Sequence, residues 1–289
     1  MLDVLIYGLI NGITLALIAI GFSLCYSVSR LPNFAHGALY ILAGLTAWSI
    51  FNIFGFSYPI AIGGALIVTA LIGAAIYRLL VIRVRGMEAS EIIVTFAMSL
   101  AILELLRFMG FIGPRFTIPT FAEGVISILG ITVDYHRLIL VTVGGILVVF
   151  LWFFTHYTKV GLALRAIAQD ERAAMMLGID SDLAATLSLA FGSALAALAA
   201  IVVLPLGAIT VEAGFAALIC AIAVAILGGL GSTMGVILAS IMLGYAQIAT
   251  VKFIGPQYYM VVFLAVIILV LIIRPSGLLG KQKELEERV

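Results

Sequence analysis

The chain has 289 residues, 64% of them hydrophobic and only 10% charged, with a formal net charge of +1. A soluble domain carries about 25% charged residues, so this composition excludes one and indicates an integral membrane protein. The near-neutral balance gives no electrostatic case for nucleic acid. Two cysteines, Cys25 and Cys220, both inside apolar runs, make no disulfide framework.

A membrane helix needs about 20 apolar residues. Residues 4–29 form the first such stretch. It has no basic leader and no clear cleavage site, so it is expected to be a spanning helix and not a removed signal. Gly8 and Gly12 make a GxxxG pair within it, and Asn11 and Thr14 are its polar positions. Residues 31–77 hold two spans, with a turn signal from Phe51 to Pro59. The stretch RLPNFAHGALYILAG, Arg30 to Gly44, sets Pro32, Asn33, His36 and Gly37 between two apolar runs. Such a break is a plain turn, or irregular backbone that lines a cavity or is covered by protein. A basic loop runs from Arg78 to Glu91, and the next span, Ile92 to Phe111, contains Glu104 and Arg107. Residues 113–136 read as a polar loop with Pro114 and Pro119, and 138–158 as a clean span. After a polar segment at 159–182, a span covers 183–211 and ends near Pro205 and Gly207. Residues 213–251, split by Gly228, Gly229 and Gly231, give two spans, of which one is short or re-entrant; 253–273 is the last. The tail KQKELEERV reads as a solvated helix end.

The expectation is an all-α polytopic bundle of about nine spans, forming one membrane domain over 1–289. Orientation follows from Lys and Arg. With the C-terminus inside, the inner face carries Arg30, Arg78, Arg83, Arg85, Lys159, Arg165, Arg172, Arg274, Lys281, Lys283 and Arg288. The outer face then carries only Arg107, Arg115, Arg137 and Lys252. This imbalance puts the N-terminus outside and the C-terminus inside. Gly8/Gly12, Gly231/Gly235 and the Ala, Ser and Gly between Ala184 and Ala200 offer close-packing faces, for internal packing or for a partner subunit. No fixed-period repeat is visible, and one sequence does not establish a pseudo-symmetry between the halves.

The longest polar interruption is KVGLALRAIAQDERAAMMLGIDSD, Lys159 to Asp182. It carries Lys159, Arg165, Arg172, Asp170, Glu171, Asp180 and Asp182, with Ala and Leu at helical spacing and Gly178 as a stop. We read it as a short cytoplasmic helix that touches another protein. An amphipathic helix on lipid is the other reading; its charges of mixed sign and lack of an aromatic weigh against that. Glu104 and Arg107 are three apart and can pair, and Arg107 can snorkel outward. Charges inside a span are expensive, so two readings are open: Glu104 lines a path and meets a zwitterion, or the pair neutralises itself against a partner helix. Asn11, Thr14, Asn33, His36 and Gln247 are further path candidates. The sequence has no GxxxxGK[ST] loop, no HExxH and no His/Cys set with metal spacing, so no metal site is expected. No nucleophile–base pair stands out either, and the chain reads as a non-enzyme.

Four runs carry a family resemblance: NGITLALIAIGFSLCYS…NFAHGALYILAG, GLALRAIAQDERAAMMLGI, AVAILGGLGSTMGVILASIMLG and IRPSGLLG. Together they resemble the LivH-type permease subunits of branched-chain amino acid ABC transporters, over nearly the whole chain. The resemblance implies a dimer with a related permease subunit, two ATPase subunits on the cytoplasmic face, and an extracytoplasmic binding protein for the amino acid. It also implies a prokaryotic inner membrane, no cofactor on this chain (ATP being held by the partners), and alternating access. By the same resemblance, ATPase coupling falls on Gly161, Arg165, Ala166, Asp170, Ala173 and Gly178. Other readings are a permease for urea or short amides, a stand-alone ion-coupled transporter using Glu104, and a non-transporting scaffold subunit.

Overall fold

The computed structural model describes residues 1–113, 116–128 and 130–280. The expected tail helix, and the turn and charge at Pro114 and Arg115, lie outside them. The helices are α1 (Leu2–Ser29), α2 (His36–Asn52), α3 (Tyr58–Leu79), α4 (Glu88–Phe108), α5 (Tyr135–Tyr157), α6 (Lys159–Gln169), α7 (Glu171–Met176), α8 (Ser181–Val203), α9 (Ala213–Gly228), α10 (Thr233–Phe253) and α11 (Tyr259–Ile273). Helices stand at all nine expected spans. Seven are long and apolar enough to cross a bilayer by length and composition. The two others are short: α2 has 17 residues and α9 has 16. The loop at 113–136 contains structure that the sequence reading did not anticipate: an antiparallel hairpin of β1 (Val125–Ile128) and β2 (Ile131–Asp134). The protein is an all-α polytopic membrane protein.

The reason for the short helices lies in how the chain enters them. The His36 ring bonds the carbonyl of Ile18, in the middle of α1 and not at its end. Residues 30–35 therefore run back along α1 before α2 can begin. Leu31, Asn33 and Ala35 are buried there, and Asn33 Oδ1 accepts the Ala35 amide at 3.1 Å. Protein thus covers the irregular backbone, as a bilayer requires. The link before α9 does the same: Leu204 and Ile209 lie against Gly44 of α2, and Gly214 lies against Gly37 and Ile41. The first turns of α2 and α9 cross in antiparallel fashion.

This crossing belongs to a wider pattern. α1 meets α8 antiparallel, with Gly21 against Gly192 and Cys25 Sγ bonding the Ser188 carbonyl at 3.3 Å. The α1–α10 contact has a counterpart in α8–α3, α1–α9 in α8–α2, and α10–α9 in α3–α2. Helices α1–α3 and α8–α10 are thus related as an inverted repeat, a common transporter architecture.

Glycine makes the approaches possible. Water-driven burial cannot hold helices together in lipid, so close van der Waals contact must. A methyl on Gly244 would overlap the Gly12 backbone and lie 2.8 Å from the Gly8 carbonyl oxygen. Gly228 meets Gly235 in the same way where α9 turns into α10. The closing run docks on that turn: the Leu278 and Leu279 amides donate to the Leu227 and Gly228 carbonyls at 2.8 and 3.0 Å. Gly8 and Gly12 are therefore internal packing positions, and not a surface for a partner.

Gly244→Leu should force α1 and α10 apart, at a cost of about 1–3 kcal/mol or more. Gly145, which has open space around it, is the control. In detergent, fluorescence-detected gel filtration after heating should show early loss of the folded peak for Gly244→Leu and none for Gly145→Leu.

Candidate functional site

The polar segment at 159–182 folds as two helices, where the sequence reading expected one. α6 starts directly after α5, because Thr158 Oγ1 accepts the Gly161 amide at 3.0 Å and Gly161 has no side chain to strike the Phe154 carbonyl. Asp170 ends α6 in an extended conformation, and its Oδ1 caps α7 by accepting the Ala173 amide at 3.0 Å. Gly178 then supplies the left-handed turn, at φ +84°, and Asp180 caps α8 through the Asp182 and Leu183 amides. The charges of this segment thus serve partly as helix punctuation.

The inner face of the pair is apolar. Leu164, Ile167 and Ala174 cluster with Val28, Phe154 and Ala184. The outer face exposes Arg165, Asp170, Arg172 and Ala173, with Leu162, Met175, Met176 and Leu177 beside them. Met176 is 87% exposed and Leu177 83%. Of the six coupling candidates, Arg165, Asp170, Ala173 and Gly178 lie on this surface, Ala166 is half-buried and Gly161 is buried. The neighbouring Met175, Met176 and Leu177 were missed, because apolar residues in an apolar sequence give no signal.

Arg85 was also missed as a site residue. From the turn after α3 its guanidinium bonds Asp182 and Glu171, and it donates to Ser181 Oγ at 2.6 Å. Burial opposes its charge, but Tyr77, Glu171 and Asp182 outweigh that and push its pKa above the ordinary arginine value. A cavity of about 20 Å³ beside it is lined by Ser29, Tyr77, Glu91, Glu171 and Ser181 among others, which is room for one water molecule. Arg30 ties the same segment to α1 by donating to the Ala168 carbonyl at 3.0 Å.

The path candidates fall in three places. Asn11 Nδ2 donates to Gln247 Oε1 at 2.7 Å across the α1–α10 seam, and Thr14 bonds its own helix at the Ile10 carbonyl. Asn33 and His36 are both 1% exposed at the start of α2. A carbonyl can only accept, so His36 Nε2 carries the proton toward Ile18. Its Nδ1 and Asn33 Nδ2 are buried without a partner among the described residues. Glu104 is at the far end of α4. It pairs with Arg107, as the spacing suggested, and Arg107 Nη2 also donates to Glu212 Oε1 at 2.9 Å. Glu212, just before α9, gave no sequence signal. These ion pairs are exposed and each adds little stability by itself. No group of His, Cys, Asp and Glu that could hold a metal occurs among the described residues.

The Arg107–Glu212 tie makes a pH prediction. The Glu212 carboxyl is held below the usual carboxylate range, first by its own backbone amide and then by Arg107. The tie is therefore complete above the ordinary Glu value of about 4.3 and is lost as pH falls through the lowered one. Hydrogen exchange at 206–212 should rise only in strong acid for the natural chain, and already at neutral pH in Glu212→Gln.

Comparison with known proteins places this geometry in context. Residues 4–271 match the family described as "Branched-chain amino acid transport system / permease component". The chain is 32% identical to the high-affinity branched-chain amino acid transport system permease protein BraD of Pseudomonas aeruginosa, covering 97% of this chain and 96% of that one. It is 30% identical to the permease protein LivH of Salmonella typhimurium, covering 95% and 94%. Among solved structures, PsaBC from Streptococcus pneumoniae in complex with Fab aligns over 99% of this chain and 95% of that chain, with a TM-score of 0.52 and 15% identity. That last likeness concerns the fold.

Proposed function

The chain belongs to the family of branched-chain amino acid transport system permease components, and from that premise we propose how it works. It is an ABC transporter permease and not an enzyme. Its cargo is a branched-chain or similar apolar amino acid, imported across the cytoplasmic membrane of a prokaryote by alternating access. Two ATP-binding subunits dock on the cytoplasmic face and hold the ATP, a related permease subunit completes the pore, and an extracytoplasmic binding protein delivers the amino acid. The N-terminus is outside and the C-terminus inside, in keeping with the Lys and Arg balance.

One observation carries the coupling part of this reading: the α6–α7 outer face. It is apolar and of mixed charge, with Leu162, Met175, Met176 and Leu177 beside Arg165, Asp170 and Arg172. Exposed Met and Leu at the tip of a polar loop call for a partner surface, and mixed charges set its register. The inward face is anchored on α1, α5 and α8, so a displacement at the tip reaches three long helices. The stand-alone ion-coupled reading gains nothing from the geometry, since Glu104 is paired with Arg107. No observation favours urea, short amides or a scaffold role.

Met176→Glu with Leu177→Glu tests this directly. Both side chains are exposed, so stability should change by only about 0.5 kcal/mol. The variant should insert normally but recover no ATPase subunits in a pull-down from solubilised membranes, and leucine uptake should be lost. Normal uptake would refute the docking assignment.

A further inference from the structure

We propose that Arg85 is the positioning residue that binds the coupling segment to α3 and the turn after it, so that α3 moves together with α1, α5 and α8, on which the segment already packs, when the ATPases close. The proposal rests on the docking reading above and names a residue outside the docking surface.

The segment's other attachments explain the need. α7 has six residues. Its chain continues into α8, which belongs to the second half of the repeat, and its buried side chain is Ala174. A push on α7 therefore reaches α8 through the backbone. It has no such direct route to α3. Arg85 supplies a non-covalent one. Its two terminal nitrogens reach Glu171, at the start of α7, and Ser181 and Asp182, at the start of α8. The same cluster is bonded back to the first half. Tyr77 Oη of α3 donates to Asp182 Oδ1 at 3.3 Å; beside Arg85, the Gly86 amide donates to Glu91 Oε1 of α4, a helix outside the repeat, at 2.7 Å. Ser181 Oγ accepts from Arg85 and donates to Glu171, which closes the network.

The residue type fits the task. A guanidinium is a planar fork that can hold two carboxylates at once, whereas a lysine offers one point charge. Arg85 is too exposed, at 36%, for these pairs to count chiefly as stability. Their effect is geometric: they fix the distance between the α3–α4 turn and the start of α7.

The test uses the full transporter, reconstituted in liposomes with its ATPase, partner permease and binding protein. Uptake of leucine and ATP hydrolysis are measured on the same preparation. In Arg85→Gln, hydrolysis should persist while uptake falls about 5- to 150-fold, the range of a typical coupling energy. Arg85→Lys, keeping one pair, should fall between. A parallel loss of both activities, or no change in either, would overturn the proposal. A readout independent of cargo runs alongside: spin labels at Leu79→Cys and Gln169→Cys. Their separation should be unaffected by ATP in the natural Arg85 background and should change with ATP in Arg85→Gln; equal behaviour in both would also overturn it. If the labelled complex behaves as expected but leucine is not taken up even with Arg85 present, it is the cargo assignment that fails and not the role of Arg85. Should Arg85→Gln not assemble, Asp182→Asn removes one carboxylate of the same network and carries the same test.

Discussion

Close backbone contact is the constraint on which this structure depends. In lipid the spaces between helices are filled as well by acyl chains as by side chains, so helices stay together only where they fit tightly. Here the tight fits are made by paired small positions: Gly12 with Gly244, Gly21 with Gly192, Gly37 with Gly214, and Gly228 with Gly235. These pairs join α1, α2, α8, α9 and α10 into one closely packed centre, and α3 is added where Gly73 meets Ser193 and Leu189 of α8. The helices outside that centre are loosely held by comparison. α4 and α5 are buried over 28% of their apolar windows and α11 over 11%, against 56% for α1 and 67% for α8. The peripheral helices are therefore the ones left with apolar surface to give to lipid or to another subunit.

The inverted repeat gives the two short helices a physical meaning. A half-length link that doubles back must hide its amides and carbonyls inside protein, since the bilayer offers no water. The link at 30–35 does so along α1, and the link at 204–212 does so against α2. The result places the first turns of α2 and α9 together, deep within the bundle. Asn33 Nδ2 and His36 Nδ1 lie at this crossing without a partner among the described residues, as do the buried hydroxyls of Ser23, Thr69 and Ser193 elsewhere on the central helices. The crossing is also where the two halves would have to slide if they move as units, because small residues on both sides present smooth surfaces.

Much of the fold was legible in the sequence, for identifiable reasons. Long apolar runs report spans because hydropathy acts residue by residue. The segment at 159–182 was legible as a polar helical stretch with Gly178 as its stop, but Asp170 was read as a charge and not as the cap that divides it into two helices. The Glu104–Arg107 pair was legible because three residues make one helical turn. What was not legible involves partners far apart in the chain. Arg85 meets Asp182 across 97 positions, and Arg107 meets Glu212 across 105. No spacing rule links them. The shortness of α2 was hidden for a related reason: its apolar run is continuous with that of α3, and only the contact of His36 with Ile18 reveals where it begins. The hairpin strands, VISI and ITVD, are four residues each, too short for their pattern to be separated from a loop.

The two ends of the protein handle charge differently. At the far end of α4, Arg107 holds Glu104 and Glu212 in an exposed group. Water and salt weaken such ties, so they can break and reform at little cost. At the α6–α7 end, Arg85 is hydrogen-bonded into a network that includes a tyrosine and a serine as well as two carboxylates. Several donors and acceptors that satisfy one another resist separation better than a single pair does. Among the described residues the contrast lies in the number of hydrogen-bonding partners and not in the exposure of the guanidinium, since the Arg85 and Arg107 side chains are 36% and 37% exposed.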